Sequence, residues 1–172
     1  MSIPPIELTR LPTPVIAALA VGELAAANRL SPVTLPSYFV GPECRSVWRM
    51  RSTQIAADPA EAEWVTRAVV AADTGVVVGR GGFHGPPDAR GMVELGYAID
   101  PAWRRRGYAR ACLLELLDWA GREPAVATVR AAVRPDNLAS LNLIRDYGFD
   151  AVGEQWDDED GLETIFEAAA KP

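Results

Sequence analysis

Two cysteines and one histidine are all that the 172 residues hold of thiol and imidazole metal ligands. Cys44 and Cys112 lie far apart, with no other such ligand beside either. That excludes a disulfide framework and a CxxC zinc site, and leaves two free thiols and a cytoplasmic chain as the expectation. A His-based metal site or a Ser-His-Asp triad would have to be built around His84 alone, and no metal is expected. Apolar runs are short, none approaching the ~18 residues of a membrane span. The start, Met1-Ser2-Ile3-Pro4-Pro5, has no basic residue and no long apolar stretch, so it does not read as a secretory signal. Positive charge is the minority, 17 Lys and Arg against 23 Asp and Glu, for a net charge of -6. General binding to nucleic acid or an anionic membrane wants the opposite sign. Glycine and proline, 14 each, are too few and too scattered for collagen or a low-complexity linker.

What is present is ordinary for a globular chain: 49% hydrophobic and 23% charged residues. The length suits a single domain over residues 1–172. Residues 6–9 read as an edge strand. Thr13-Pro14 reads as an N-cap and first helical residue, with a helix from Val15 to Asn28. Residues 29–63 contain Pro32, Pro36, Pro42 and Pro59 and read as a loop with one or two short helices. Valine-rich runs Trp64–Ala72 and Gly75–Phe83 meet at Asp73-Thr74-Gly75 as a hairpin. A turn at Gly85–Asp88 precedes a strand from Met92 to Ile99. Pro101–Arg106 connects it to a helix over Gly107–Ala120, in which Ala109, Cys112, Leu113, Leu116, Leu117 and Ala120 recur at helical spacing. A strand over Val126–Val133 and a helix from Pro135 to Tyr147, stopped by Gly148, follow. Ala151–Gln155 and Leu162–Ala168 close the chain as a last hairpin. The order predicts an α+β fold, with a mixed, largely antiparallel sheet of about 6–7 strands flanked by helices.

Chemistry concentrates where the Met92–Ile99 strand feeds the basic turn Arg104-Arg105-Arg106-Gly107 and the turn opens a helix. A helix N-terminus presents unpaired N–H groups and the positive end of its dipole, which suits a phosphate. Gly107 lets the backbone approach closely. The passage reads as a pyrophosphate cradle. It is neither a G-x-x-x-x-G-K-[ST] loop nor a G-x-G-x-x-G fingerprint, since Gly79-Arg80-Gly81-Gly82 has the wrong spacing and no helix after it. Alternation puts Val93, Leu95, Tyr97 and Ile99 on one strand face and Glu94, Gly96 and Ala98 on the other. Two very small residues leave room for a ligand, and Glu94 at the far end can take a proton from a bound amine. The plainer reading of Glu94 is a salt bridge on a solvent-facing strand. His84 is expected in a loop beyond the neighbouring strand, away from this face. In the later helix Asn137, Ser140 and Ile144 share a face; capping accounts for Asn137 but not for Ser140.

The R-x-x-G-x-A turn, with Asn137-Leu138-Ala139-Ser140 and Tyr147-Gly148-Phe149 at the right separation, resembles the GNAT acetyltransferase superfamily. The Glu94-Leu95-Gly96-Tyr97 strand is similar to its ribosomal-protein N-terminal acetyltransferase branch, the RimJ/RimL-like proteins. The resemblance covers residues 64–168 well and the first 63 by element order alone. It implies acetyl-CoA as acetyl donor and a sheet splayed at the cofactor site. The pantetheine would pair with the backbone of Tyr97, Ala98 and Ile99, and the pyrophosphate would sit on the amides of Arg105, Arg106, Gly107, Tyr108, Ala109 and Arg110, with Arg104 nearby. Asn137 would hold the pantetheine, Ser140 would lie near the thioester sulfur, and Glu94 matches the general base. Where many members carry a tyrosine acid this chain has Ile144, so Ser140, or no dedicated acid, takes that role.

The resulting expectation is an acetyl-CoA-dependent N-acetyltransferase, transferring directly to a primary amine of a protein N-terminus or a small molecule. The alternative is a non-catalytic CoA-binding sensor or interaction domain, favoured only by Ile144. A nucleic-acid module built on Arg104–Arg106 conflicts with the acidity and lacks an aromatic ladder. The acceptor's identity is open, and so is pairing into a homodimer. Tyr38, Trp48, Trp103 and Trp156 are candidates to line an acceptor pocket, though each reads equally as a core or interface aromatic.

Overall fold

The computed structural model describes residues 3–171. Its elements run β1 (Ile6–Thr9), α1 (Thr13–Ala20), α2 (Leu24–Leu30), α3 (Pro42–Ala57), β2 (Arg67–Ala71), β3 (Val77–Phe83), β4 (Met92–Ile99), α4 (Tyr108–Arg122), β5 (Thr128–Val133), α5 (Leu138–Arg145), β6 (Asp150–Asp157) and β7 (Gly161–Ala169). Short 3₁₀ turns occupy Ser37–Val40, Pro59–Glu63 and Pro101–Trp103. The hydrogen-bonded strand order is β1-β2-β3-β4-β5-β7-β6. β1–β2, β2–β3, β5–β7 and β6–β7 are antiparallel and β4–β5 is parallel. The expected mixed, largely antiparallel sheet is therefore present. Among the described residues, no helix is long and apolar enough to cross a membrane.

By contact density the chain forms two compact units: one through Gly82 and again over Tyr97–Glu115, the other over Phe83–Gly96 and from Leu116 onward. In the first, Val15, Ile16 and Leu19 of α1 and Cys44, Trp48 and Ile55 of α3 share a core with Ala68 and Val70 of β2. Each large side chain so buried contributes roughly 1.5–3 kcal/mol. Trp48 packs on Phe39 with ring centroids 5.2 Å apart, and its indole N–H donates to the Phe39 carbonyl at 2.8 Å. That bond removes the cost of burying the N–H. In the second unit, β5 alternates, with Val129, Ala131 and Val133 buried, and Leu141 and Ile144 of α5 and Phe166 of β7 are buried too.

Two expectations need correction. The helix read as Val15–Asn28 is two helices. Gly22 takes φ +83, and the Gly22 and Glu23 N–H groups close back onto Leu19 and Ala18 at 3.0 and 2.9 Å, which ends α1. Residues 29–63 are not mostly loop, because α3 runs sixteen residues. Pro42 is its first residue, where a missing N–H costs nothing. Its buried stripe is Cys44, Trp48, Arg51 and Ile55, at spacings of four, three and four. The buried arginine, bonded to Thr66 Oγ1 at 3.2 Å and Gln54 Oε1 at 2.9 Å, breaks the apolar pattern that would have revealed the helix.

Candidate functional site

The basic turn lies in the first unit. The Asp100 N–H donates to the Val78 carbonyl at 3.0 Å, and the Asp100 carboxylate accepts from the Ala102 N–H at 2.9 Å, which opens the turn Pro101–Trp103. Arg104 is committed within this unit. Its Nε donates to the Ile99 carbonyl at 2.9 Å and its Nη2 to Glu43 Oε2 at 2.8 Å. The Arg106 guanidinium lies 4.9 Å over the Trp103 ring, and Trp103 meets Tyr108 edge-on at 6.1 Å. Arg105 stands at φ +64 and Gly107 at φ +88. A non-glycine residue held there costs on the order of 1–3 kcal/mol, so the surrounding bonds must over-determine it. Alternating left-handed residues turn successive N–H groups into one concavity, a shape that binds anions. The first intrahelical bond of α4 runs from the Ala111 N–H to the Gly107 carbonyl at 3.0 Å. The Tyr108 and Ala109 amides come before it and have no acceptor within their own helix. This donor set, all amides and nearby cations, has the chemistry a pyrophosphate needs.

Glu94, Asn137 and Ser140 lie in the second unit. β4 shows the predicted alternation of burial except at Tyr97: Val93, Leu95 and Ile99 are buried, while Tyr97 is half-buried like Glu94, Gly96 and Ala98. The register shared with β5 covers Met92–Glu94 opposite Thr128–Arg130, and β4 continues to Ile99. The face of Glu94 is not open, and the expected position of His84 is corrected here. The His84 Nδ1 lies 3.4 Å from Glu94 Oε1, and the His84 N–H donates to the Glu94 carbonyl at 2.7 Å. The imidazole also covers Gly96: a Cβ at that position would fall 2.7 Å from His84 Nε2. The two side chains are 47% and 21% exposed. Near them, backbone N–H bonds from Asp160 and Glu159, both 2.8 Å, hold the Asp157 carboxyl below the usual carboxylate range, with a smaller pull from His84.

The Asn137 Oδ1 caps α5, accepting from the Ser140 N–H at 3.2 Å. Ser140 is half-buried, and Ile144 is turned into the core. Of the aromatic candidates, Trp48 is fully buried and Trp156 is 75% exposed on β6. The Tyr38 hydroxyl donates to Glu43 Oε2 at 3.3 Å, so Glu43 joins α3 to the arginine of the basic turn. Sequence reading missed Glu43 as well as His84.

A strand end, a nest-like basic turn and a helix start on an α+β sheet form a setting suited to a phosphate-bearing ligand. The acetyltransferase (GNAT) domain family matches residues 26–150, and the chain belongs to that family. It is 36% identical over 81 residues to YjdG, an uncharacterized N-acetyltransferase of Bacillus subtilis (strain 168), a match covering 47% of this chain and 48% of that one. The chain thus spans about half the length of that relative. Among solved structures, Mycobacterium smegmatis RimJ in complex with CoA-disulfide is 19% identical with a TM-score of 0.66, over 96% of this chain and 82% of that one. A spermidine N-acetyltransferase SpeG chimera from Vibrio cholerae and hSSAT is 13% identical with a TM-score of 0.67, over 96% and 95%. At these identities the likeness is one of fold.

Proposed function

We propose that the protein is an acetyl-CoA-dependent N-acetyltransferase acting on a primary amine, either a protein N-terminus or a small molecule. The observation that carries this reading is the passage from Ile99 to Ala111. There a strand end, two left-handed residues and a helix start gather backbone amides in a setting of arginines. The amides of Arg105–Arg110 would hold the pyrophosphate, and the β4 backbone at Tyr97, Ala98 and Ile99 would hold the pantetheine. Asn137 and Ser140 complete the proposed donor contacts, with Ser140 nearest the sulfur. Bound acetyl-CoA supplies a thioester whose thiol leaves readily, its pKa being comparable to the ~8.5 of cysteine. A dedicated acid is therefore dispensable, which fits Ile144 lying in the core. Glu94 supplies the site's negative charge and its basicity. An ammonium has no lone pair, so the acceptor must lose a proton before it can attack, and a carboxylate-based group at Glu94 serves that need.

The test has two parts. Calorimetry should show one acetyl-CoA per chain, with a rise in Tm that a ligand binding only the folded state must produce, ~2.7 kcal/mol at one hundred times Kd. A thiol-release screen with acetyl-CoA should then turn over at least one of free-N-terminus peptides, polyamines and aminoglycosides. No heat and no Tm shift at millimolar acetyl-CoA would end the reading.

A further inference from the structure

We propose, building on the acetyltransferase reading, that Glu43 is a positioning residue for the acetyl-CoA pyrophosphate, acting through Arg104 to hold the basic turn in its anion-binding shape. Every residue involved belongs to the first unit.

A carboxylate is an odd neighbour for a turn suited to phosphate, since by charge alone it repels the ligand. Its contacts give it a different part. Glu43 is the second residue of α3, and three segments converge on it. Its Oε2 accepts from Arg104 Nη2 at 2.8 Å and from the Tyr38 hydroxyl at 3.3 Å. Its backbone carbonyl accepts from Nη2 of Arg80, on β3, at 3.0 Å, and Arg80 Nε donates to the Cys44 sulfur at 3.4 Å. Cys44 and Trp48, one turn apart, are fully buried. The first turn of α3 is thus anchored in the core and bonded to β3, which gives the Glu43 carboxylate a fixed base.

The Arg104 guanidinium is held at two points. Its Nε donates to the carbonyl of Ile99, the last residue of β4, and its Nη2 donates to Glu43. The first bond closes the chain from the strand end to Arg104, and the second ties that closure to α3. Arg105, the next residue, stands at φ +64. A non-glycine residue stays in that region only where its surroundings over-determine it. The clamp on Arg104 supplies such a constraint immediately before it, and Gly107 at φ +88 follows. Arg104 is therefore spent on the shape of the turn, which lets successive amides face an anion. Glu43 and Arg104 are 51% and 49% exposed, and an isolated surface pair of that kind contributes little. Here the guanidinium also bonds a backbone carbonyl and the carboxylate also accepts a hydroxyl, so the pair is one part of a network that α3 sets in place.

Charge and position predict opposite signs, and calorimetric titration with acetyl-CoA reads the sign. The full-length protein is titrated as wild type, Glu43→Gln, Glu43→Ala, Arg104→Ala and the double variant Glu43→Ala/Arg104→Ala. If Glu43 acts only by its charge, both neutral variants should bind more tightly, and equally so. If it positions the turn, Glu43→Ala should bind about 3- to 10-fold more weakly than wild type. Glu43→Gln should fall between the two, because a carboxamide oxygen still accepts from Arg104. The double variant should bind no more weakly than Arg104→Ala, since Glu43 acts through that residue. Equal or tighter binding by Glu43→Ala overturns the proposal, and so do losses that multiply in the double variant.

A second readout needs no ligand. The Arg104 Nε–H is identified by NMR as the side-chain signal missing from Arg104→Ala. In wild type it should exchange slowly with water, and in Glu43→Ala its exchange should quicken. Unchanged exchange in Glu43→Ala overturns the clamp. Failure of wild type to bind acetyl-CoA is a different result: it removes the acetyltransferase reading, while exchange of the Arg104 signal still decides whether Glu43 holds the turn.

Discussion

Gly107→Asp tests the basic turn most directly, and its effect separates into strain and charge. Gly107 stands at φ +88, where a side chain costs on the order of 1–2 kcal/mol, less for Asp and Asn than for most residues. At about 1 kcal/mol the variant should melt only about 2–4 °C below wild type, so it remains folded. Gly107→Asn carries the same shape and strain without the charge. Any difference in acetyl-CoA affinity between the two variants is therefore electrostatic. A carboxylate about 4 Å from one phosphate charge is repelled by about 4 kcal/mol at an effective dielectric of 20. Gly107 is half-buried and Arg104–Arg106 are exposed, so solvent reduces this. Since 1.4 kcal/mol is tenfold, a loss of about 10- to 100-fold beyond Gly107→Asn is a fair expectation. Calorimetric titrations at low and physiological salt should show the gap narrowing as screening grows. Equal affinity in the Asp and Asn variants would refute the reasoning and put the pyrophosphate elsewhere.

Two further predictions concern the core of the first unit. An alanine at Gly81 would put its Cβ 2.5 Å from the Cys112 sulfur, so Gly81→Ala should destabilise by about 1–3 kcal/mol in urea unfolding. Adding Cys112→Ala should recover part of that loss, and strictly additive effects would show that the two sites do not clash. Burial, with Glu115 adding to it, pushes the Cys112 thiol up to about 12 from an ordinary 9.0, so the folded state keeps a proton that the unfolded chain gives up. The resulting stability is fully present below the unfolded value and declines as pH rises toward the folded one. The urea midpoint should therefore fall more between about pH 8 and pH 10 in wild type than in Cys112→Ala. Matching declines in the two proteins would count against a buried thiol.

The periodic elements were legible from the sequence because their burial follows their pattern. β4 alternates as read except at Tyr97, β5 forms within the run read as a strand, and α4 begins one residue from its expected start. Their boundaries shifted where a local bond outranks propensity. α5 starts at Leu138 rather than Pro135 because the Asn137 carboxamide caps the Ser140 N–H. α3 stayed hidden for a different reason. Its inward stripe includes Arg51, satisfied by Thr66 fifteen residues away, and such a partner cannot be read from spacing.

At the site, what belongs to one strand was readable and what crosses from another segment was not. Alternation correctly put Glu94, Gly96 and Ala98 on one face, and the small residues there were read as room for a ligand. In the structure part of that room is filled by the His84 ring. A usable signal did exist: Gly85-Pro86-Pro87-Asp88 reverses the chain, and Gly91, at φ +75, turns it into β4. A reversal centred between them returns the strand so that position 94 faces position 84. A lone histidine just before such a turn is thereby aimed at the carboxylate just after it. The same reversal explains why Gly96 is needed: with any side chain at that position the ring would be displaced and Glu94 would lose its neighbour. The glycine is best understood as a seat for the imidazole. On that account Gly96→Ala should shift the NMR signals of the His84 imidazole at little cost in stability, because the displaced group is a half-exposed ring rather than backbone; unshifted signals would show that the ring does not sit over position 96.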